Sequence, residues 1–185
     1  MSIIAIDAGH GGGDENGAVY GSAHEDEIAL NIAYFADFFL REAGHDVILT
    51  RETDTYVALS SRVRIAEYQN ADFFISIHCN ANENPAYHGM DVHVKKDPST
   101  ADYNLARHVE RVMQLMFPGH RHRGIKKSNY HVLRENRRPA ILVETEFLSN
   151  VVEREEFLIK VENQNRLGKC IAEGAMRYIA NSMGE

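Results

Sequence analysis

The chain has 185 residues, the length of one domain. Hydrophobic residues make up 44% and charged residues 25%, close to the globular averages of ~45–50% and ~25%, so a disordered or fibrous chain is excluded. No run approaches the ~18–20 apolar residues of a membrane span. The 20 Lys+Arg against 27 Asp+Glu leave a net charge of -7, which gains little from a phosphate backbone, so neither membrane insertion nor nucleic-acid binding is expected.

Residues 2–8 read as a short buried strand, apolar, β-branched and ended by Gly9. A glycine-rich loop follows. A helix is predicted from Glu25 to about Arg41, because Ile28, Ile32, Phe35 and Phe39 share one face; Gly44 stops it. Residues 46–50 form a second strand, Leu59, Val63 and Ala66 mark a second helix, and residues 72–78 (DFFISIH) are apolar enough for a strand buried on both faces. Residues 89–95 alternate, with Met90, Val92 and Val94 on one side and Asp91, His93 and Lys95 on the other, the pattern of a half-buried strand. Leu105, Val109, Val112 and Met116 mark a helix stopped by Pro118 and Gly119. Residues 120–128 read as a basic loop, 131–133 and 140–144 as two strands, and 161–181 as the closing helix. Strands alternating with helices predict an α/β fold: one three-layer domain over residues 1–185 with a mostly parallel sheet.

Cys79 and Cys170 are the two cysteines; the expectation is two buried thiols behaving as small hydrophobes, which leaves the redox compartment open. The N-terminus has no basic segment and too short an apolar run for a secretion signal. Either synthesis is cytoplasmic or a leader and other domains were removed from a longer parent.

In such a sheet, ligands bind beyond the carboxyl ends of the strands. His10 follows the first strand, His78 closes the third, Glu144 closes the strand ILVE, and Glu25 opens the first helix at the same end. Each has a duller reading: a strand-end histidine is commonly a surface residue, and Glu25 favours a helix N-terminus by itself, worth ~0.3–1 kcal/mol. Convergence of all four is the informative expectation. Two histidines and a glutamate form a catalytic zinc set with room for water, and a further carboxylate serves as general base.

Other motifs fail. No frame of DAGHGGGDENG gives G-x-G-x-x-G, since Asp14 or Asn16 stands where the third glycine belongs; P-loop, H-E-x-x-H and G-x-S-x-G patterns are absent. Cys79 should point away from the His78 face. His120 and His122 lie in the basic stretch, where solvation is the simple reading and a second metal the alternative. His88 precedes the strand of residues 89–95.

The segment IDAGHGGGDENGAVYGSAHEDEIAL resembles the opening of zinc-dependent N-acetylmuramoyl-L-alanine amidases of the amidase-3 type. The resemblance continues through VILTRETDTYVALSSRVRIAEYQNADFFISIHCNA and RGIKKSNYHVLRENRRPAILVETEFLSN, nearly the whole chain in order. It implies a twisted, mostly parallel sheet of about six strands flanked by helices. It also implies metal ligands at His10, Glu25 and His78 and a catalytic glutamate at Glu144, the residues that topology had already singled out. His24 competes with Glu25 but fits the motif less well. Two departures stand out: Glu146 occupies a position usually held by a small residue, and Cys79 replaces a usual alanine.

The activity implied is zinc-dependent hydrolysis of the amide between N-acetylmuramic acid and L-alanine in peptidoglycan, at the cell wall in the periplasm or outside the cell, by a monomer. Asn80, Asn82 and Asn129 are placed near the site, as sugar- or peptide-binding groups or as turn residues; the basic stretch 121–127 meets stem carboxylates or is solvated. The short stretch between Asn82 and Tyr103 leaves little room for an inhibitory helical insertion, so an open site is expected. The competing classes are a zinc peptidase or deacetylase using the same ligands, and a cell-wall-binding module with a decayed site.

Overall fold

A computed structural model describes residues 1–13 and 17–182; Asp14 and Asn16, which break the glycine fingerprint, lie outside them. The strands are β1 (Ile3–Ala8), β2 (Val19–Tyr20), β3 (Ala23–His24), β4 (Asp46–Leu49), β5 (Phe73–Asn80), β6 (Met90–Lys95), β7 (His122–Ser128) and β8 (Ala140–Phe147). The helices are α1 (Glu25–Glu42), α2 (Leu59–Tyr68), α3 (Thr100–Met116), α4 (His131–Arg134) and α5 (Val161–Ser182), with a π-helical segment at Glu153–Leu158. Six strands form one sheet in the order β4-β1-β5-β8-β6-β7, and β2 and β3 form a small hairpin.

The sheet is mixed. β4, β1, β5 and β8 run parallel, while β6 is antiparallel to β8 and β7 follows β6 in parallel. The cause is loop length: residues 81–89 join β5 to β6, and a parallel crossover needs a dozen or more residues. A connection this short can only return down the sheet, so β6 starts where β5 ends.

Both faces are covered. Ile4, Ile6, Ile75, Ile77, Val92 and Val143 pack beneath α1, α3 and α5. Ala5, Phe74 and Leu142 pack beneath α2 and α4 through Val63, Ala66, Val132 and Leu133. Burying each large apolar side chain is worth about 1.5–3 kcal/mol, so the β5 row alone is a strong anchor. On α1 the buried stripe is Ile28, Ile32, Ala36 and Leu40, with Phe35 and Phe39 at its margin. Small residues let α5 approach its neighbours: a Cβ on Gly168 would stand 2.4 Å from Phe35 Cβ, and one on Gly174 would stand 2.6 Å from Val109 Cα.

Three local expectations are corrected. The basic stretch is the edge strand β7, not a loop; pairing with β6 supplies the order that its Arg-, Lys- and Gly-rich composition does not advertise, and charge is what an edge strand tolerates. Residues 131–133 are not a strand but part of α4; so short an apolar run carries no readable period. On the polar side of β6, Asp91 and His93 are buried and only Lys95 reaches solvent, because Asp91 is enclosed by Arg123 and Lys126 (3.1 and 2.7 Å) and His93 lies against Tyr130.

Candidate active site

The β2–β3 hairpin ends at His24 and hands the chain to α1 at Glu25, whose backbone N–H donates to Ala18 O. This brings Glu25 over the ends of β1 and β5. Its Oε1 lies 3.0 Å from His10 Nε2 and 2.9 Å from His78 Nδ1, and the two ring nitrogens are 3.1 Å apart. The imidazoles stand nearly perpendicular, at 80°. The backbone N–H of Cys79 donates to Glu25 Oε1 and that of Ala18 to Oε2, at 3.1 and 2.9 Å. Burial pushes the Glu25 carboxyl up, but the bonds to His10 and His78, with their charges, outweigh it and hold the group well below the usual carboxylate range.

The three donor atoms lie close enough together to hold one metal ion. A tetrahedral centre with ~2.0–2.2 Å bonds separates its donors by roughly 3.3–3.5 Å, a few tenths beyond the distances here. His24, the rival of Glu25, occupies the position just before α1 without a side-chain capping bond and lines a separate surface depression with Asp26 and Arg51.

The turn that carries His10 is held in place. His10 adopts φ 59, a left-handed conformation costing about 1–3 kcal/mol for a non-glycine residue. Arg62 donates to Ala8 O and His10 O, and Arg51 donates to Ala8 O and Gly9 O. Arg62 also pairs with buried Asp7 at 2.8 Å, and the Thr50 and Ser76 hydroxyls donate to the same carboxylate. Gly9 is required by proximity: a Cβ there would meet the His78 ring at 2.4 Å.

Glu144 pairs in register with His78 across β5 and β8 and lines the same cleft, of about 590 Å³, as His10, Glu25 and His78. It is buried, and its Oε2 has no hydrogen-bond partner among the described residues. Burial, then the negative charges of Glu25 and Asp91, push its carboxyl well above the usual range; Lys126 and Arg123 offset this only in part. A buried carboxylate oxygen without a partner is rare in a structural role and fits a group that handles a proton or a substrate atom.

Glu146 does not share this cleft. The β5–β8 register shifts, so that His78 faces Glu144 while Asn80 faces Phe147. This bulge breaks the alternation that would have kept Glu144 and Glu146 on one face. Glu146 is fully buried and bonds instead to the Gly89 and Phe147 N–H groups and to His120.

Of the three asparagines, Asn80 lines the cleft. Asn82 caps the following turn through Asn84 N–H, and Asn129 accepts from Arg134. Arg123 and Lys126 are engaged with Asp91. Cys79 and Cys170 are free and buried; Cys79 lines the cleft next to His78, while its Sγ lies 3.4 Å from Thr145 Oγ1 and the residue belongs to the α1/α3/α5 core. Sequence reasoning missed the walls, notably Tyr56, Val57 and Tyr130: aromatic residues in loops carry no periodic signal.

Fold and site together describe a class: an α/β domain presenting a His–Glu–His donor triangle and a buried glutamate in one open cleft. The chain belongs to the N-acetylmuramoyl-L-alanine amidase family of the amidase-3 type, whose family model matches residues 4–177. It is 31% identical over 177 residues to the N-acetylmuramoyl-L-alanine amidase LytC of Bacillus subtilis (strain 168), covering 95% of this chain and 35% of that protein. Among solved structures it resembles the catalytic domain of the amidase CwlV from Bacillus (Paenibacillus) polymyxa var. colistinus, with a TM-score of 0.88, 32% identity, and 97% and 99% of the two chains covered. It equally resembles the amidase AmiC2 of Nostoc punctiforme, with a TM-score of 0.90, 33% identity, and 97% of each chain covered. Across four curated relatives, the chain spans between 35% and 60% of their length.

Proposed function

We propose that residues 1–185 act as one catalytic domain of a zinc-dependent peptidoglycan amidase. It hydrolyses the amide joining the lactyl group of N-acetylmuramic acid to L-alanine, at the cell wall. The observation that carries this reading is the meeting of His10, Glu25 and His78 around one point in a cleft that also holds Glu144. The amidase names of LytC, CwlV and AmiC2 support the choice of substrate.

His10, Glu25 and His78 would hold the ion. When bound by such a set, zinc supplies Lewis acidity towards water and towards a carbonyl oxygen. The chain's own residues do the rest. The Cys79 and Ala18 N–H groups fix both oxygens of Glu25, and the Arg62 and Arg51 clamp holds the His10 turn. Glu144 takes a proton from the attacking water as the C–O bond forms. It then delivers that proton to the alanine nitrogen as the C–N bond breaks, leaving a free amine and a lactyl carboxylic acid, which releases the water's second proton to solvent. A carboxyl whose affinity for protons is raised by burial and by like charge suits this shuttle. The cleft's open form suits a polymer.

The test is product analysis on purified cell wall. New N-terminal alanine should appear, disappear on chelation and return with zinc, and His10→Ala should lower bound zinc and turnover together. Release of new sugar reducing ends in place of alanine amines, or a fully zinc-loaded His10→Ala protein, would overturn the reading.

A further inference from the structure

Four side chains that the amidase site does not use meet on the α1/α3/α5 side of the sheet. His88 comes from the loop before β6, His120 from just before β7, Glu146 from the β8 bulge, and Glu153 from the start of the π-helical segment. His120 Nδ1 lies 3.3 Å from Glu146 Oε1 and 3.4 Å from Glu153 Oε2, and His88 Nδ1 lies 3.9 Å from Glu153 Oε1. One donor atom each from His88, Glu146 and Glu153 falls within 4.8 Å of the others. We propose that this cluster is a second, structural binding site for a divalent transition-metal ion, zinc being the best fit.

Three arguments support it. The first is charge. Glu146 has no exposed side-chain surface, yet among the described residues no lysine or arginine pairs with Glu146 or Glu153; their ion-pair partners are the two imidazoles. Two adjacent carboxylates, one wholly buried, repel each other, and burial with the Glu146 charge pushes the Glu153 carboxyl up; a cation between them would relieve both costs. The second is donor chemistry. Two imidazoles and two carboxylates from four separate segments suit zinc, and the His120–carboxylate separations match the roughly 3.3–3.5 Å between donors of a tetrahedral centre.

The third is pre-organisation. The His120 ring packs on Phe157 at 4.2 Å and edge-on to Phe117 at 5.9 Å, with Nδ1 turned towards the carboxylates. Glu146 Oε2 is fixed by the Gly89 and Phe147 N–H groups, at 2.6 and 3.0 Å, leaving Oε1 for the cluster. A π-helical turn, itself associated with functional positions, carries Glu153. An ion here would tie the loop before β6, the head of β7 and the bulge that follows Glu144 into one unit.

The experiment counts metal per chain by elemental analysis, after equilibration with zinc and gel filtration, and follows the thermal midpoint as zinc is added. Wild-type protein should hold two ions. His10→Ala should keep one and still gain several degrees on zinc addition. His88→Ala and Glu153→Gln, both away from the amidase cleft, should each lose one ion and that gain in midpoint; His88 is partly exposed, so its variant should fold. One ion in wild type, unchanged by His88→Ala and by Glu153→Gln, would overturn the proposal in favour of direct, ion-free contacts of His120 with the two carboxylates, and would leave the amidase reading intact. One ion lost in Glu153→Gln but kept in His10→Ala would instead overturn the amidase metal set and keep this one.

Discussion

Glu144→Gln separates the proposed chemistry from the fold. The side chain keeps its shape and loses its proton-carrying oxygen. General acid–base catalysis is worth ~10²–10⁴, so turnover on cell wall should fall by that factor, about 3–5 kcal/mol at ~1.36 kcal/mol per tenfold. Stability should move the other way. Glu144 is buried, its Oε2 has no partner among the described residues, and Glu25 and Asp91 both disfavour its charge. Its folded pKa is raised, so its contribution is fully present below the unfolded value of ~4.3 and lost as pH rises through the folded value. Chelated Glu144→Gln should therefore match chelated wild type near pH 4 and exceed it increasingly towards pH 8. Urea unfolding at the two pH values, alongside release of dye-labelled wall fragments, measures both effects. Turnover within tenfold of wild type, or a variant less stable than wild type at pH 8, would refute the reasoning.

Asp7→Asn removes one partner of a buried ion pair with Arg62, and should cost about 3–5 kcal/mol in urea unfolding. For Asp7, burial acts to raise the pKa, but Arg62 and the Ser76 and Thr50 hydroxyls together hold it below 3.8. Its stabilisation is therefore present above the unfolded value and lost as pH falls through the folded one, and an acid-unfolding curve of the variant should lack that component. Gly9→Ala places a methyl 2.4 Å from the His78 ring; bound zinc and turnover should both fall while the circular-dichroism spectrum keeps its α/β form.

Strand-end residues made the candidate site legible. His10, His78 and Glu144 sit at or near the ends of apolar strands, and Glu25 opens a well-patterned helix, so topology converts distant positions into neighbours. The apolar strands β1, β5 and β8 were readable because burial on both faces writes a continuous hydrophobic run. β7 was not: HRGIKKS owes its strand to pairing with β6, a tertiary cause invisible to local composition. The reversed direction of β6 was implicit in the short 81–89 connection. The fate of Glu146 was hidden, because one bulge, formed between two strands far apart in sequence, decides which face it joins.

Charge compensation distributes roles among the carboxylates at this end of the sheet. Glu25 receives two imidazoles and two backbone N–H groups. Asp91 receives Lys126, Arg123 and His93, and burial is outweighed there by the His93 and Lys126 bonds. Both are thereby fixed as anions. Glu144, paired in register with Asp91 on β6 and with His78 on β5, has no ion-pair partner among the described residues and feels both neighbouring charges. Groups whose environments drive their proton affinities apart identify the acid and base of a site. Here Glu25 and Asp91 are held as anions by their partners, and the carboxyl between them whose proton affinity is raised is Glu144, opposite the donor triangle. Any change that gives Glu144 a cationic partner of its own should therefore leave the His10–Glu25–His78 triangle intact and still slow the proposed reaction.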